Sequence, residues 1–174
     1  RISDTQIKIM FNLNAKISNK KILIYGFGKS GQTSYNYLKK LNNVLVFDDY
    51  KKVKKNFISK EKIQLSKFDY IVLSPGIDIN KCKLKKFLNK NRKKIITDLD
   101  IFYLNHEKNL KITITGTNGK STTAKLLFEI LKEQKKDVII AGNIGIPMLS
   151  LKKVTQKTIF VIEASSYQID YSQY

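Results

Sequence analysis

The chain of 174 residues has one cysteine, one histidine, two prolines and, among 33 basic residues, only two arginines. Three of these shortages exclude a class of chemistry. Cys82 alone cannot form an intrachain disulfide, and a single thiol among lysines argues against a thiol nucleophile. His106 alone rules out a multi-histidine zinc site within the chain and leaves any Ser-His triad one candidate base. Base-edge reading and planar phosphate clamps favour guanidinium groups, yet the arginines are only Arg1 and Arg92. The net charge of +19 is carried by lysines spread through every segment, which fits a composition bias better than a binding face, and no specific nucleic-acid partner is expected. No apolar run approaches the ~18–20 residues of a membrane-crossing helix, and no signal-peptide pattern opens the chain. The expectation is a cytoplasmic protein without membrane insertion.

What is present is a globular composition, 42% hydrophobic and 27% charged, able to bury a core. At ~100–150 residues per domain the length holds one ordinary domain, or a small one and part of another. Arg1 stands where an initiator Met would, and Tyr174 closely follows a strand-like run, so both ends read as cut and the expectation is a fragment.

Residues 1–17 carry a weak mixed pattern and stay unassigned. From Lys21 the pattern sharpens. Lys21 to Tyr25 is a short β-rich run, Gly26 breaks it, Ser30 to Leu41 has helical periodicity, and Val44 to Phe47 is a second apolar run ending in Asp48 and Asp49. Strand, glycine turn, helix and strand form a βαβ unit, which requires a parallel sheet. The alternation continues through a polar stretch at 51–62, a strand at 68–73, a helix at 83–91, an extended piece at 94–97 and a helix at 98–105 with Asp98 as its N-cap. The chain turns polar at 106–109, and a domain boundary is placed at 106/107. Beyond it come a strand at 111–115, a helix from 120 to about 134, and strands at 138–141 and 158–162. The fold class is α/β: a Rossmann-like parallel-sheet domain over 18–106, then the start of a P-loop-type α/β domain over 107–174.

Gly116-Thr117-Asn118-Gly119-Lys120-Ser121-Thr122 lies between an apolar strand and an amphipathic helix. The glycines let backbone N–H groups approach phosphate oxygens at a helix N-terminus. Lys120 brings a formal charge for the β/γ-phosphates, and the Ser121 hydroxyl is a ligand for Mg²⁺. Ile114 stands where the strict pattern has glycine, so the loop is a shorter variant. Gly26-Phe27-Gly28-Lys29-Ser30-Gly31 fits G-x-G-x-x-G, with Asp48 and Asp49 at the end of the next strand. That arrangement offers a pyrophosphate seat and a carboxylate for a sugar hydroxyl, without saying which nucleotide. Glu163, after Ile159 to Ile162, would emerge at a strand's carboxyl end and could hold Mg²⁺ opposite Ser121. Asn143, in Gly142-Asn143-Ile144-Gly145, reads equally as a turn or as a donor to carboxylate or phosphate, and Ser74-Pro75-Gly76 as a turn first and a ligand loop second.

In this order the segments resemble the Mur ligases. Gly26 to Gly31, Ser74-Pro75-Gly76-Ile77 and Ile114 to Thr123 are similar to that family's N-terminal and central domains. Gly142 to Pro147 and Glu163-Ala164-Ser165-Ser166-Tyr167-Gln168 are similar to its D-glutamate-adding branch. The resemblance implies that the first domain seats the UDP of a sugar-peptide substrate, with Asp48 and Asp49 near the uridine; Tyr50 stands where the family often has arginine. It implies ATP on Gly116 to Thr122, Mg²⁺ on Ser121 and Glu163, Lys120 and Glu163 as catalytic residues, and Asn143 near the nascent acyl group. Ala164 and Tyr167 replace the more usual Leu and Phe. The implied substrates are UDP-N-acetylmuramoyl-L-alanine and D-glutamate, joined through an acyl phosphate by a monomeric enzyme of which this stretch alone is inactive. Another Mur-type amino-acid ligase is the alternative, and an NAD-linked oxidoreductase leaves the second glycine loop unexplained.

Overall fold

A computed structural model describes residues 17–51 and 56–173, so the unassigned arm falls almost wholly outside the described residues. The chain divides into two compact units after Ile95.

In the first unit, β1 (Lys21–Tyr25), β2 (Asn43–Phe47), β3 (Tyr70–Leu73) and β4 (Ile95–Ile96) form a sheet in the order β2-β1-β3-β4. β1 runs parallel to both neighbours, with Tyr25 level with Phe47 on one side and Leu73 on the other. Helices α1 (Lys29–Leu38), α2 (Lys60–Leu65) and α3 (Lys85–Lys90) intervene. The continuous apolar run of β1 is what a strand covered on both faces requires, and Ile22, Leu23, Ile24 and Tyr25 are all inaccessible. Since β2 lies on one side of β1 and β3 on the other, the strand order reverses at β1, and the crevice beyond the carboxyl ends of β1 and β3 is where open α/β sheets take ligands. α1 buries Gly31, Ser34, Tyr35 and Leu38 and stops short of the Leu41 expected from periodicity. The Asn42 side chain ends it: its amide donates to the Leu38 carbonyl at 3.0 Å, and Leu41 N–H reaches the same carbonyl in a tightened turn. α2 was hidden in a polar stretch; it is capped by Ser59 and buries only Ile63.

The second unit contains α4 (Asp98–Asn105), β5 (Lys111–Ile114), α5 (Lys120–Glu133), β6 (Val138–Gly142), β7 (Ile159–Glu163) and α6 (Ser166–Tyr171). Its sheet runs β5-β7-β6, with both pairs parallel. α4 belongs here, ahead of the 106/107 boundary drawn from polarity, because Leu99 and Phe102 pack with Ala141, Met148, Phe160, Ile162 and Ala164. Its N-cap is Thr97, one residue before the expected Asp98. The Thr97 hydroxyl accepts from Asp100 N–H at 3.4 Å and Asp100 Oδ2 accepts from Thr97 N–H at 2.6 Å, a capping box that leaves Asp98 free of the capping role. α6 follows the same rule through Ser165 and Gln168, a signal present in the sequence but too short to carry a helical period. Among the described residues no helix is long and apolar enough to cross a membrane.

The single histidine, half-buried, packs against this core. Its ring lies 4.5 Å from that of Phe102 and 5.1 Å from that of Phe160. Burial, and secondarily the charge of Lys111, push its pKa down to about 4, so His106 is neutral near pH 7 and stabilises the fold as a ring. Unfolded, it takes up its proton near 6.5, so the stability it brings is complete above about pH 6.5 and is lost as pH falls towards 4. After allowance for solvent screening the loss is roughly 1–2 kcal/mol. His106→Phe should remove that component: urea midpoints for the wild type and the variant should diverge between pH 6.5 and 4, and parallel curves would refute the assignment.

Candidate phosphate-binding site

β5 delivers the chain to Gly116 at the carboxyl edge of the second sheet, and α5 starts at Lys120 with Gly119 as its N-cap in the left-handed region, φ 75°. Residues 115–119 are exposed, so their amides are open to a ligand at the positive end of a helix of 14 residues. Lys120 folds over the loop and donates to the carbonyls of Gly116 at 2.7 Å and Thr117 at 3.2 Å. Ser121, one residue on, donates its hydroxyl to Glu163 Oε2 at 2.7 Å.

That contact follows from topology. β7 is the central strand, and its last residue, Glu163, is level with Ile114 at the end of β5 and Gly142 at the end of β6. Glu163 is thus brought to the start of α5 from 42 residues away and is nearly buried, at 5% exposure. One hydroxyl and one carboxylate oxygen side by side fit Mg²⁺, which takes one or two protein oxygens and completes its shell with water and substrate phosphates. Among the described residues no group of three or more His, Cys, Asp or Glu is assembled. Asn143 is at the same edge: its backbone N–H donates to the Glu163 carbonyl at 2.9 Å and its Nδ2 to Gln168 Oε1 at 3.2 Å.

In the first unit the glycine loop is braced by its neighbours. Gly26 sits at φ 92°, its carbonyl accepts from the Ser74 hydroxyl at 2.8 Å, and a Cβ on Gly31 would run into that same carbonyl oxygen. Gly28 caps α1 and has open space where its Cβ would be. Lys29 and Ser30 form the first turn of α1. The Ile77 N–H donates to the Ser74 carbonyl at 3.0 Å, closing a turn around Pro75 and Gly76. Asp48 Oδ2 accepts from Phe27 N–H at 2.6 Å, and its Oδ1 accepts from Tyr50 and Lys51 N–H, each at 2.9 Å. Desolvation pushes this carboxyl up, but the three amides and the Lys51 ammonium outweigh it and hold the pKa below the ordinary carboxylate value. Asp49 Oδ1 accepts from the Tyr25 hydroxyl at 2.8 Å, whose own pKa burial and that carboxylate push far up, and its backbone carbonyl accepts from Lys83 Nζ at 2.5 Å. Both acids therefore organise the loops that surround the crevice. Tyr25, Lys83, Asp98 and Gln168 leave no mark in the sequence as partners of these sites, because each reaches its acid or amide across a long stretch of chain.

Comparison with known proteins agrees with this geometry. Residues 114–174 match the Mur ligase middle domain. The chain is 36% identical over 170 residues to UDP-N-acetylmuramoylalanine--D-glutamate ligase of Wolbachia sp. subsp. Brugia malayi (strain TRS), an overlap of 90% of this chain and 34% of that one. It is 36% identical over 160 residues to the enzyme of the same name from Rickettsia bellii (strain RML369-C), covering 87% and 35%, and 38% identical over 162 residues to that of Oenococcus oeni (strain ATCC BAA-331 / PSU-1), covering 87% and 35%. The chain spans about a third of the length of these curated relatives. A glycine-loop α/β unit thus leads into a segment, residues 114–174, that matches the Mur ligase middle domain and whose loop opens on Gly116 and meets Glu163 through Ser121.

Proposed function

We propose that this chain is the nucleotide-handling portion of an ATP-dependent amide ligase of peptidoglycan precursor synthesis, one that adds D-glutamate to UDP-N-acetylmuramoyl-L-alanine in the cytoplasm. The observation that carries the reading is the 2.7 Å contact between Ser121 and Glu163 at the end of an exposed, glycine-bearing loop that opens α5. The relatives' printed names supply the substrate class.

In this reading the amides of 116–122 and the α5 dipole hold the ATP phosphates. Lys120 leaves the two loop carbonyls for the phosphoryl oxygens. Ser121 and Glu163 would hold Mg²⁺, which supplies charge neutralisation to the transferring phosphoryl group. Positioned charge of this kind is the main protein contribution to phosphoryl transfer. The substrate carboxylate takes the phosphoryl group, and the D-glutamate amine then displaces phosphate from the acyl phosphate, so no protein nucleophile is needed. Asn143 would donate to the acyl group, a role its two contacts, to the Glu163 carbonyl and to Gln168, support. In the first unit Gly26 to Gly31 and Ser74 to Gly76 edge the crevice for the UDP moiety, with Asp48 and Asp49 shaping its walls.

The test is ADP release by the protein of the complete reading frame, supplied with ATP, Mg²⁺ and UDP-N-acetylmuramoyl-L-alanine, and with D-glutamate, L-lysine, meso-diaminopimelate or no amino acid. Release that requires D-glutamate is expected. Release that requires another amino acid would move the protein to a different ligase of the family, and none with any of them would sink the substrate assignment.

Gly28 offers a separate check on the first unit. Its φ of -74° suits any residue and its Cβ position is open, so Gly28→Ala should leave stability unchanged or raise it by about 0.4–1 kcal/mol. The same methyl would stand where the pyrophosphate approaches the helix, so UDP affinity measured by calorimetry should fall about tenfold or more. Unchanged affinity would show that the nucleotide does not use this loop.

A further inference from the structure

Gln168 is almost inaccessible, at 1% exposure, and its carboxamide is surrounded by partners of fixed sense. Its Nε2 donates to Asp98 Oδ1 at 2.8 Å. Asp98 Oδ1 is the acceptor in this contact, so the Gln168 amide turns its nitrogen towards Asp98. Oε1 is thereby turned the other way, where it accepts from the Ser165 backbone N–H at 2.9 Å, the Ser165 hydroxyl at 3.2 Å and Asn143 Nδ2 at 3.2 Å. Asn143 is thus held at two points. Its side chain is held by Gln168, and its backbone N–H by the carbonyl of Glu163, whose carboxylate takes the Ser121 hydroxyl.

We infer that Asp98, acting through Gln168, is a positioning residue for Asn143: it fixes the sense of the Gln168 amide so that Asn143 presents its carbonyl oxygen and remaining amide N–H beside Glu163. The inference rests on the ligase reading above, in which Asn143 meets the acyl group. A reversed Gln168 amide would set its NH₂ against the Ser165 N–H and the Asn143 NH₂. Donor would then face donor in a buried site, and Asn143 would have to rotate away. Asp98 prevents this because it offers that amide an acceptor. Simple filling of space would not require a carboxylate at position 98.

The experiment is an acid–amide exchange cycle in the protein of the complete reading frame, with D-glutamate-dependent ADP release and thermal midpoint read for each variant. Gln168→Glu sets two carboxylates against each other and should lower kcat about 10- to 100-fold, with KM for ATP changed less than about twofold. Adding Asp98→Asn restores one donor facing one acceptor, with the acceptor still towards Ser165 and Asn143, and should return kcat to within about threefold of the unsubstituted protein. Asp98→Asn alone releases the amide to both senses and should lower kcat about three- to tenfold. Should Gln168→Glu fail to fold, Asp98→Asn and the double variant carry the test. Variants that shift only the thermal midpoint, or kcat losses that add with no recovery in the double variant, overturn the inference while the ligase reading stands. If the unsubstituted protein releases no ADP with D-glutamate, both fall together.

Discussion

Lys120→Ala is expected to lower kcat/KM for ADP release by about 10³-fold, about 4 kcal/mol of transition-state stabilisation, while leaving the fold intact. The two halves of that expectation have different sources. Folding loses little because the Lys120 ammonium touches only the carbonyls of Gly116 and Thr117 in an exposed loop, which water can serve in its place. Turnover loses much because Lys120 is the formal positive charge at the opening of α5, where the amides of 116–119 are uncharged donors. Lys120→Arg should restore the charge without restoring the rate, since a planar guanidinium cannot follow the folded-back path of the ammonium. The comparison to make is ATP-induced thermal stabilisation beside the rate. The alanine variant should melt within a degree or two of the unsubstituted protein without nucleotide and gain much less from ATP and Mg²⁺. A rate within tenfold of the unsubstituted protein would remove Lys120 from the chemistry.

Most of the architecture was legible because it rests on local signals. Apolar runs of four or five residues gave β1, β2, β3, β5, β6 and β7 to within about two residues at each end. The two glycine loops announced themselves by lying between a strand and a helix. The proximity of Ser121 and Glu163 was readable from the rule that ligands meet open sheets at carboxyl strand ends, although the pair is 42 residues apart. Other features depended on contacts that no periodicity encodes. Asp98 looked like a cap because a polar residue stood before an apolar helix; its real partner, Gln168, is 70 residues away. Asp48 and Asp49 stand where acids for a ligand are expected, yet Asp48 accepts from three backbone amides of the surrounding loops. The domain boundary followed polarity at 106–109, whereas packing assigned α4 to the second unit through Leu99 and Phe102. Sequence polarity marks where a chain is exposed, and compactness is decided by which apolar side chains find each other.

Gly142→Ala should be the most damaging single methyl in the second unit. Gly142 ends β6 at φ 108°, a conformation that penalises any L side chain. A Cβ there would also overlap the backbone carbonyl oxygen of Glu163, which belongs to the central strand and cannot rotate aside. The strain of the backbone and the overlap together should cost about 3 kcal/mol or more, a fall of more than roughly 10 °C in the melting transition of a unit this small. The damage is directed as well as large. The displaced carbonyl is the one that accepts the Asn143 N–H, and the same residue carries the carboxylate bound by Ser121, so relief of the overlap moves the acid and the amide of the site at once. Activity per folded molecule should therefore fall together with stability, measured at a temperature where the variant is still native. Gly76→Ala is the matching control for stability alone, since its Cβ position is open and it lies in an exposed turn of the other unit. Equal stability of these two variants would mean that the end of β6 yields more easily than its contact with Glu163 implies; a Gly142→Ala protein that melts early yet turns over normally would place Glu163 outside the reaction.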